Sequence, residues 1–345
     1  MYWLFFLLTF ILSVGLTMVF GFLMQKFNIV DKPRLEKRKI HKKKIPYGGG
    51  LAIFASFFII VFLVYFFSDL FSGINITGQK ILALFLGSLF LMVGGFFDDK
   101  YNLSAKHQIW FPILASLIVL GFGFAPQHIT NPCGGVFDLT VLGIGILTLA
   151  NVLTFVWLMG MMYTTKFLDG LDGLVSGVVL IGVLSVFFLS LQEKWYQPDV
   201  ALLTIIFAGA LFGFLLFNFH PAKIFLGEGG SLFAGFMLAS LAIISGSKIA
   251  TTLIVMAVPV FDVGRVIVRR WQKGQPVYAG DSEHLHFRLL KTGLSQKQVV
   301  FFMYSVSFLF GVITYFLQSS QKLVALLFLF VLMLLSGVWL SKREK

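Results

Sequence analysis

The chain has 345 residues, 58% of them hydrophobic, 17% aromatic and only 12% charged. That charged share is about half of what a soluble domain carries, which excludes an ordinary water-soluble enzyme. Lysines and arginines number 27 against 15 acids, a net charge of +12 whose meaning depends on which side of a membrane they occupy.

Apolar runs long enough to cross a hydrocarbon core as helices recur along the chain. Eleven are read, at 3–24, 50–67, 81–97, 107–125, 139–160, 173–191, 200–217, 230–245, 249–264, 298–318 and 321–340. Several are short or glycine-rich, so ten is the alternative. They lack the period-two alternation of a membrane barrel. The expected fold is all-α: a polytopic integral membrane protein forming a single domain over 1–345. The opening "MYWLFFLLTF" lacks the basic region of a cleaved signal peptide and reads as a retained first helix. Eleven spans alternate the connecting segments between two sides, and one side holds 23 of the 27 Lys and Arg. By the positive-inside rule that side is cytoplasmic and the N-terminus lies outside. The basic excess is therefore mostly topological, with a further role in attracting anionic membrane lipids or phosphates, and no nucleic-acid partner is expected. Lone Cys133 falls in an outside loop and has no mate for an internal disulfide.

In chain order, the polar segments of the inner side carry the chemistry. "DKPRLEKRKIHKKKIPYGGG" (31–50) includes Lys43 and Lys44 and ends in glycines whose bare N–H groups suit close approach to an anion. "MVGGFFDDK" closes a run on Asp98 and Asp99. "FLDGLDGLVSG" sets Asp169 and Asp172 three residues apart, a spacing that puts both carboxylates on one face of a helix start, with Gly170 and Gly173 leaving room for a ligand. "FNFHPAKIFLGEGGS" joins Asn218, Lys223, Phe225 and Glu228 through a turn that suits a phosphate cradle at a helix N-terminus. Asp262 ends another run, and "DSEHLHFRLL" brings His284, His286 and Arg288 together in a loop or at a helix edge. Helix ends tolerate charge, so any one acid says little. An Asp near the bilayer centre costs roughly 3 kcal/mol even on mild scales, and here 11 of the 15 acids gather on one side. Clustered carboxylates repel unless a cation joins them. Oxygen-only, thiol-free sites suit Mg²⁺, with Mn²⁺ as substitute, and Mg²⁺ commonly shares its ligands with substrate phosphates. A transporter more often buries such groups at the midplane. The residues therefore read as chemistry between a phosphorylated lipid and a soluble phosphorylated donor.

In this order, "KIHKKKIPYGGG", "GGFFDDKYNLSAKHQ", "FLDGLDGLVSG", "FNFHPAKIFLGEGGS" and "DSEHLHFRLL" resemble the cytoplasmic-loop motifs of the polyprenyl-phosphate N-acetylhexosamine-1-phosphate transferases. The resemblance covers about 31–290, the motif-bearing catalytic region. It implies transfer of a sugar-1-phosphate from a UDP-N-acetylhexosamine to undecaprenyl phosphate, with release of UMP and a need for Mg²⁺, at the cytoplasmic face of the plasma (inner) membrane. The lack of a "TPTMGG" loop is more similar to the branch that uses UDP-N-acetylglucosamine to initiate envelope glycans. By the resemblance, Asp98 orients or deprotonates the lipid phosphate beside Asp99. Asp99, Asp169 and Glu228 lie at the metal, and Asp172, Asn218 and Phe225 contact the nucleoside. His284 and His286 belong to the loop facing the diphosphate or sugar, His284 counting with Asp98 and Asp99 as catalytic, and Arg288 and the lysines 43 and 44 are further substrate contacts. A homodimer is left open.

This chain departs from the family at three places. Asn-x-x-Asn-x-x-Asp-Gly reads Tyr163 and Lys166 at the Asn positions, "GD" reads Gly227–Glu228, and a third His is Phe287. Lys166 stands where it pairs with one of the acids or takes part of a metal's electrostatic role. Two chemical routes stay open, a covalent phospho-sugar on an Asp or direct attack by the lipid phosphate. Direct attack is favoured because that phosphate is already ionised near pH 7. Alternatives are a weakened relative that binds carrier or nucleotide without efficient turnover, and an unrelated membrane transporter.

Overall fold

The computed structural model describes the chain except residues 33–42, 72, 74, 127, 131–134, 140–142, 145–146, 247, 277–282 and 344–345. It is a helical bundle whose apolar runs all carry helix. The helices are α1 (Tyr2–Lys26), α2 (Gly49–Phe67), α3 (Gly78–Tyr101), the one-turn α4 (Ala105–Gln108), α5 (Trp110–Gly121), α6 (Leu149–Leu168) and α7 (Leu174–Ser190). After these come α8 (Pro198–Asn218), α9 (Glu228–Ile244), α10 (Ile249–Val255), α11 (Ala257–Gln272), α12 (Leu285–Lys291), α13 (Gln296–Phe316) and α14 (Ser319–Arg343).

By length and composition, α1, α2, α3, α8 and α13 can each cross a membrane. The pair α10–α11, bent by 76° at the break between them, makes a sixth. Eleven spans, or ten, were expected, and the remaining apolar runs form helices that are shorter or more polar. α9 and α7 have 17 residues each and are almost wholly buried, so protein rather than lipid surrounds them. α6 has 20 residues but carries Asn151, Thr154, Thr164, Thr165 and Lys166. The run read at 139–160 becomes helical only at Leu149, since Gly143–Ile144 and Leu147–Thr148 pair as a short antiparallel ladder. Two more such ladders, Val30–Asp31 with Ile45–Pro46 and His128–Thr130 with Val136–Asp138, qualify the all-α expectation.

The core forms around α8 and α9. The apolar window of α8 is 78% buried and that of α1 only 17%, which leaves Trp3, Leu7, Ile11 and Phe22 of α1 facing outward where lipid would lie. Apolar side chains gain little from leaving lipid for one another, so close packing of small residues brings membrane helices together. Thr9, Ser13 and Thr17 form the buried stripe of α1, with Ser13 Oγ donating to Ala210 O at 2.7 Å. Two crossings are tighter. A Cβ at Gly95 of α3 would lie 2.1 Å from Gly229 Cα, and one at Gly50 of α2 would lie 2.4 Å from Gly230 Cα. These glycine pairs seat α2 and α3 directly on the first turn of α9.

Polar groups sort to the two ends of the bundle. At the end where α8 begins, Asp199 accepts from Asn75 N and Ile76 N at 3.0 and 3.1 Å, and Lys248 Nζ donates to Gln197 Oε1 at 2.6 Å. The ends of α3, α6 and α8 and the start of α9 meet at the other, where the motif acids lie.

Candidate active site

α3 ends in the pair Asp98–Asp99, and the glycine crossing beneath sets it over the start of α9. Glu228 N donates to Asp99 Oδ1 at 3.1 Å, so a carboxylate sits on the positive end of that helix. Asp98 turns the other way. Its Oδ1 accepts from Leu103 N and from Gln108 Nε2, both at 2.8 Å, and so closes the turn between α3 and α4. Gln108 in turn accepts from Lys166 Nζ at 2.8 Å, and the Lys166 ammonium forms an ion pair with Glu228. One chain of contacts thus runs Asp98, Gln108, Lys166, Glu228, Asp99. The sequence pointed to Lys166 as an acid's partner, and Glu228 is that acid. Gln108 had no assigned role.

Asp169 and Asp172 do not share a helix start. Asp169 is the C-cap of α6, while Gly173, at φ +79°, is the N-cap of α7, so the two acids flank a tight turn. Asp169 is open at the surface, yet the surrounding protein, then the charges of Glu228 and Asp172, push its carboxyl up to about 7. A bound cation would relieve that repulsion. Asp172 Oδ2 lies 2.6 Å from His220 Nδ1 and accepts from Ala222 N at 3.1 Å, leaving Oδ1 for a ligand. His220, which the sequence reading passed over, is therefore what orients Asp172.

Several expected ligand contacts are instead protein contacts. Asn218 Oδ1 accepts from Gly173 N and Ser176 Oγ at 3.1 and 3.0 Å, and its Nδ2 donates to Ile224 O at 3.1 Å. It clamps the Asp172 turn to the segment before α9. The glycine run is likewise engaged: Gly49 N and Gly50 N donate to Phe225 O and Leu226 O at 3.0 and 2.8 Å, so those amides are not free for an anion. Gly170 makes room for His286, whose Nε2 would stand 2.5 Å from an added Cβ. Phe225 is half-buried, its ring 6.3 Å from that of Tyr47.

The His-x-His segment packs inward. His284 caps α12 and His286 lies in its first turn, their rings parallel at 5.7 Å. Both are buried, as is Arg288. Burial and the neighbouring His284 hold the His286 imidazole down to about 3, so it is neutral. His284 stacks on Phe167 at 5.8 Å. Its Nδ1 lies 3.0 Å from Asp262 Oδ2, and Arg265 Nη2 donates to Asp262 Oδ1 at 2.8 Å. Asp262, visible in the sequence only as an acid ending a run, fixes the His284 ring. Lys43 and Lys44 are exposed beside the Ile45–Pro46 strand. The remainder of that basic loop, 33–42, lies outside the described residues.

Among the described residues, no three His, Cys, Asp or Glu side chains form a ready-made metal cage. The donor chemistry still suits Mg²⁺, which binds through one or two carboxylates and takes its remaining ligands from water and substrate phosphate. Asp99 and Asp169 are such carboxylates. Glu228, the third expected ligand, is already held by Lys166.

The model of glycosyl transferase family 4 matches residues 81–246, which include Asp98, Asp99, Asp169, Asp172, Asn218 and Glu228. Over 315 residues the chain is 32% identical to a Bacillus subtilis (strain 168) protein named as a probable undecaprenyl-phosphate N-acetylglucosaminyl 1-phosphate transferase, covering 90% of this chain and 83% of that one. The chain belongs to glycosyl transferase family 4. The decaprenyl-phosphate N-acetylglucosaminephosphotransferase of Mycobacterium tuberculosis (strain ATCC 25618 / H37Rv) is 31% identical over 82% of this chain and 74% of its own. A phospho-N-acetylmuramoyl-pentapeptide-transferase of Halalkalibacterium halodurans is 29% identical over 90% and 96%. The family resemblance carried by the five motifs is borne out, and these relatives include proteins named for N-acetylglucosamine and for N-acetylmuramoyl-pentapeptide transfer.

Proposed function

We propose that this family 4 member transfers N-acetylglucosamine-1-phosphate from its UDP-sugar to undecaprenyl phosphate, releasing UMP, as the first step of an envelope glycan. The observation that carries the reading is the meeting of Asp98, Asp99, Asp169 and Glu228 at one end of a membrane bundle. There a water-soluble donor and a lipid-anchored acceptor can both reach them. The relatives named for N-acetylglucosamine transfer support the choice of sugar.

In this reading an oxygen of the lipid phosphate attacks the phosphorus that bears the sugar. The bond from that phosphorus to the bridging oxygen breaks, and UMP leaves with the oxygen. Asp98, with Oδ1 fixed by Leu103 and Gln108, directs its other oxygen to orient the acceptor phosphate. Asp172, held by His220, accepts from the uracil N–H, and Phe225 packs on the ring. Asp99 and Asp169 would hold Mg²⁺, which when bound screens charge on the diphosphate and departing UMP. His284, fixed by Asp262, backs the turn that carries Asp169. The deciding assay incubates purified protein with UDP-sugars, Mg²⁺ and undecaprenyl phosphate. UMP release that needs all three is expected, with UDP-N-acetylglucosamine preferred, and full turnover in excess EDTA would refute the metal requirement.

Donor recognition offers a separate check. A shielded hydrogen bond from uracil to Asp172 is worth on the order of 1.5–3 kcal/mol and the Phe225 contact about 1 kcal/mol. Asp172→Asn is therefore expected to raise KM for the UDP-sugar about tenfold or more and Phe225→Ala about fivefold, leaving KM for undecaprenyl phosphate nearly unchanged. Asp169→Asn should lower kcat instead. An Asp172→Asn variant that binds donor normally but fails with the acceptor would move this acid to the lipid side.

For orientation, the basic side is proposed to be cytoplasmic. Single cysteines at Lys44 and Lys291, in a Cys133→Ser background, should resist a membrane-impermeant thiol reagent in intact cells and react after permeabilisation. Labelling of either from outside would overturn the arrangement.

A further inference from the structure

Among the described residues, Lys166 is the cation that joins the chain of contacts from Asp98 to Asp99, and its surroundings are built to keep it there. It lies on the last turn of α6, and its side chain is only 18% exposed against 19% for Glu228. The ammonium has three neighbours. It pairs with the Glu228 carboxylate, donates to Gln108 Oε1 at 2.8 Å, and lies 5.6 Å from the centre of the Tyr163 ring, a cation–π contact. Gln108 is itself fixed, its Nε2 donating both to Asp98 Oδ1 and to Leu103 O at 2.8 Å. Tyr163 and Lys166, the two departures on α6, and Glu228, the departure on α9, are thus in one contact group. The longer Glu spans the gap to an ammonium that a different residue at 166 would not supply.

We propose that Lys166 is a built-in counter-cation that takes Glu228 away from divalent metal. A metal ion approaching Glu228 must either displace the ammonium, leaving it and Gln108 Oε1 without each other in a crowded site, or bind beside a like charge. Both weaken it. The chain therefore holds its metal on Asp99 and Asp169 without Glu228, and obtains part of the site's positive charge from protein. The inference deepens the transferase reading, but its test uses neither UDP-sugar nor lipid phosphate, so absence of turnover would sink that reading and leave this one standing.

The experiment measures Mn²⁺ binding to the purified full chain in detergent, from the electron paramagnetic resonance signal of free Mn²⁺, with thermal unfolding recorded for every variant. Lys166→Gln keeps an amide for Gln108 and removes the charge, and should bind Mn²⁺ at least tenfold more tightly than the parent. Lys166→Arg keeps the charge and should stay within about twofold of the parent. Lys166→Gln binding Mn²⁺ no more tightly than the parent, including no binding by either, overturns the proposal. Should Lys166→Gln fail to fold, Glu228→Gln in the parent decides. An affinity unchanged within twofold supports the proposal, and a loss of tenfold or more shows that Glu228 is a metal ligand and overturns it.

Discussion

Asp99→Asn is expected to lower turnover at least a hundredfold while the protein stays folded. The substitution is nearly isosteric, and the amide oxygen can still accept from Glu228 N, which Asp99 Oδ1 now does at 3.1 Å. What is lost is the charge. A hundredfold in rate corresponds to about 2.7 kcal/mol of transition-state stabilisation, a reasonable share for one of two carboxylates proposed to hold a cation against a reacting diphosphate. Asp98→Asn should also remove most activity, since its amide oxygen can still close the turn through Leu103 and Gln108 but an amide NH₂ in place of the second oxygen cannot accept a hydrogen bond or a proton from a P–OH of the acceptor phosphate. UMP release and thermal unfolding in detergent, measured on both variants, separate chemistry from folding. Near-normal turnover in both would make the pair structural.

Gly95→Ala is expected to be more damaging than either acid substitution, although Gly95 meets no substrate. The added Cβ would lie 2.1 Å from both Gly229 Cα and Gly229 N, and backbone on the far side of the contact cannot rotate away as a side-chain tip can. Overpacking of this kind costs about 3 kcal/mol. Relief requires α3 and α9 to separate, which also breaks the Asp99–Glu228 contact. Thermal stability and turnover should therefore fall together. Gly160→Ala on α6, where an added Cβ meets nothing within 4 Å, is the control. It should leave stability unchanged or slightly higher, as alanine favours helix. Equal stability of the two variants would mean that the crossing is looser than described.

The sequence made the helical membrane character, the family and the set of motif acids legible because each depends on local pattern: apolar runs, glycine–acid pairs, and their order. Lys166 was also legible as an acid's partner, since a lone cation among carboxylates has few other roles. It did not reveal which acid, because Glu228 is distant in sequence and meets α6 only in the fold, where Gly235 of α9 packs directly against Met161 and Thr165. The glycines misled for a related reason. Gly49, Gly50 and Gly170 read as space for a ligand, but the space is filled by Phe225 and Leu226 carbonyls and by His286. Small residues announce close approach without naming what approaches. Gln108, His220 and Asp262 were missed as positioning residues because each acts across a tertiary contact, on Lys166 and Asp98, on Asp172 and on His284. The span count differed where helices are sheathed by other helices, as α7 and α9 are, and need not match the bilayer in length.

The seating of α3 on α9 through bare backbone also bears on how such a protein can be recombined. Asp99 and Glu228 are aligned by a fit between two helices that tolerates no side chain at Gly95 or Gly229, so neither helix can be exchanged alone for that of a relative with a different contact. The portable unit must also include α2, whose Gly50 meets Gly230 nearly as closely, and α6, whose Met161 and Thr165 meet Gly235. Chimeras that carry 49–67, 78–101, 149–168 and 228–244 together should retain alignment. Those cut at α3 or α9 alone should not.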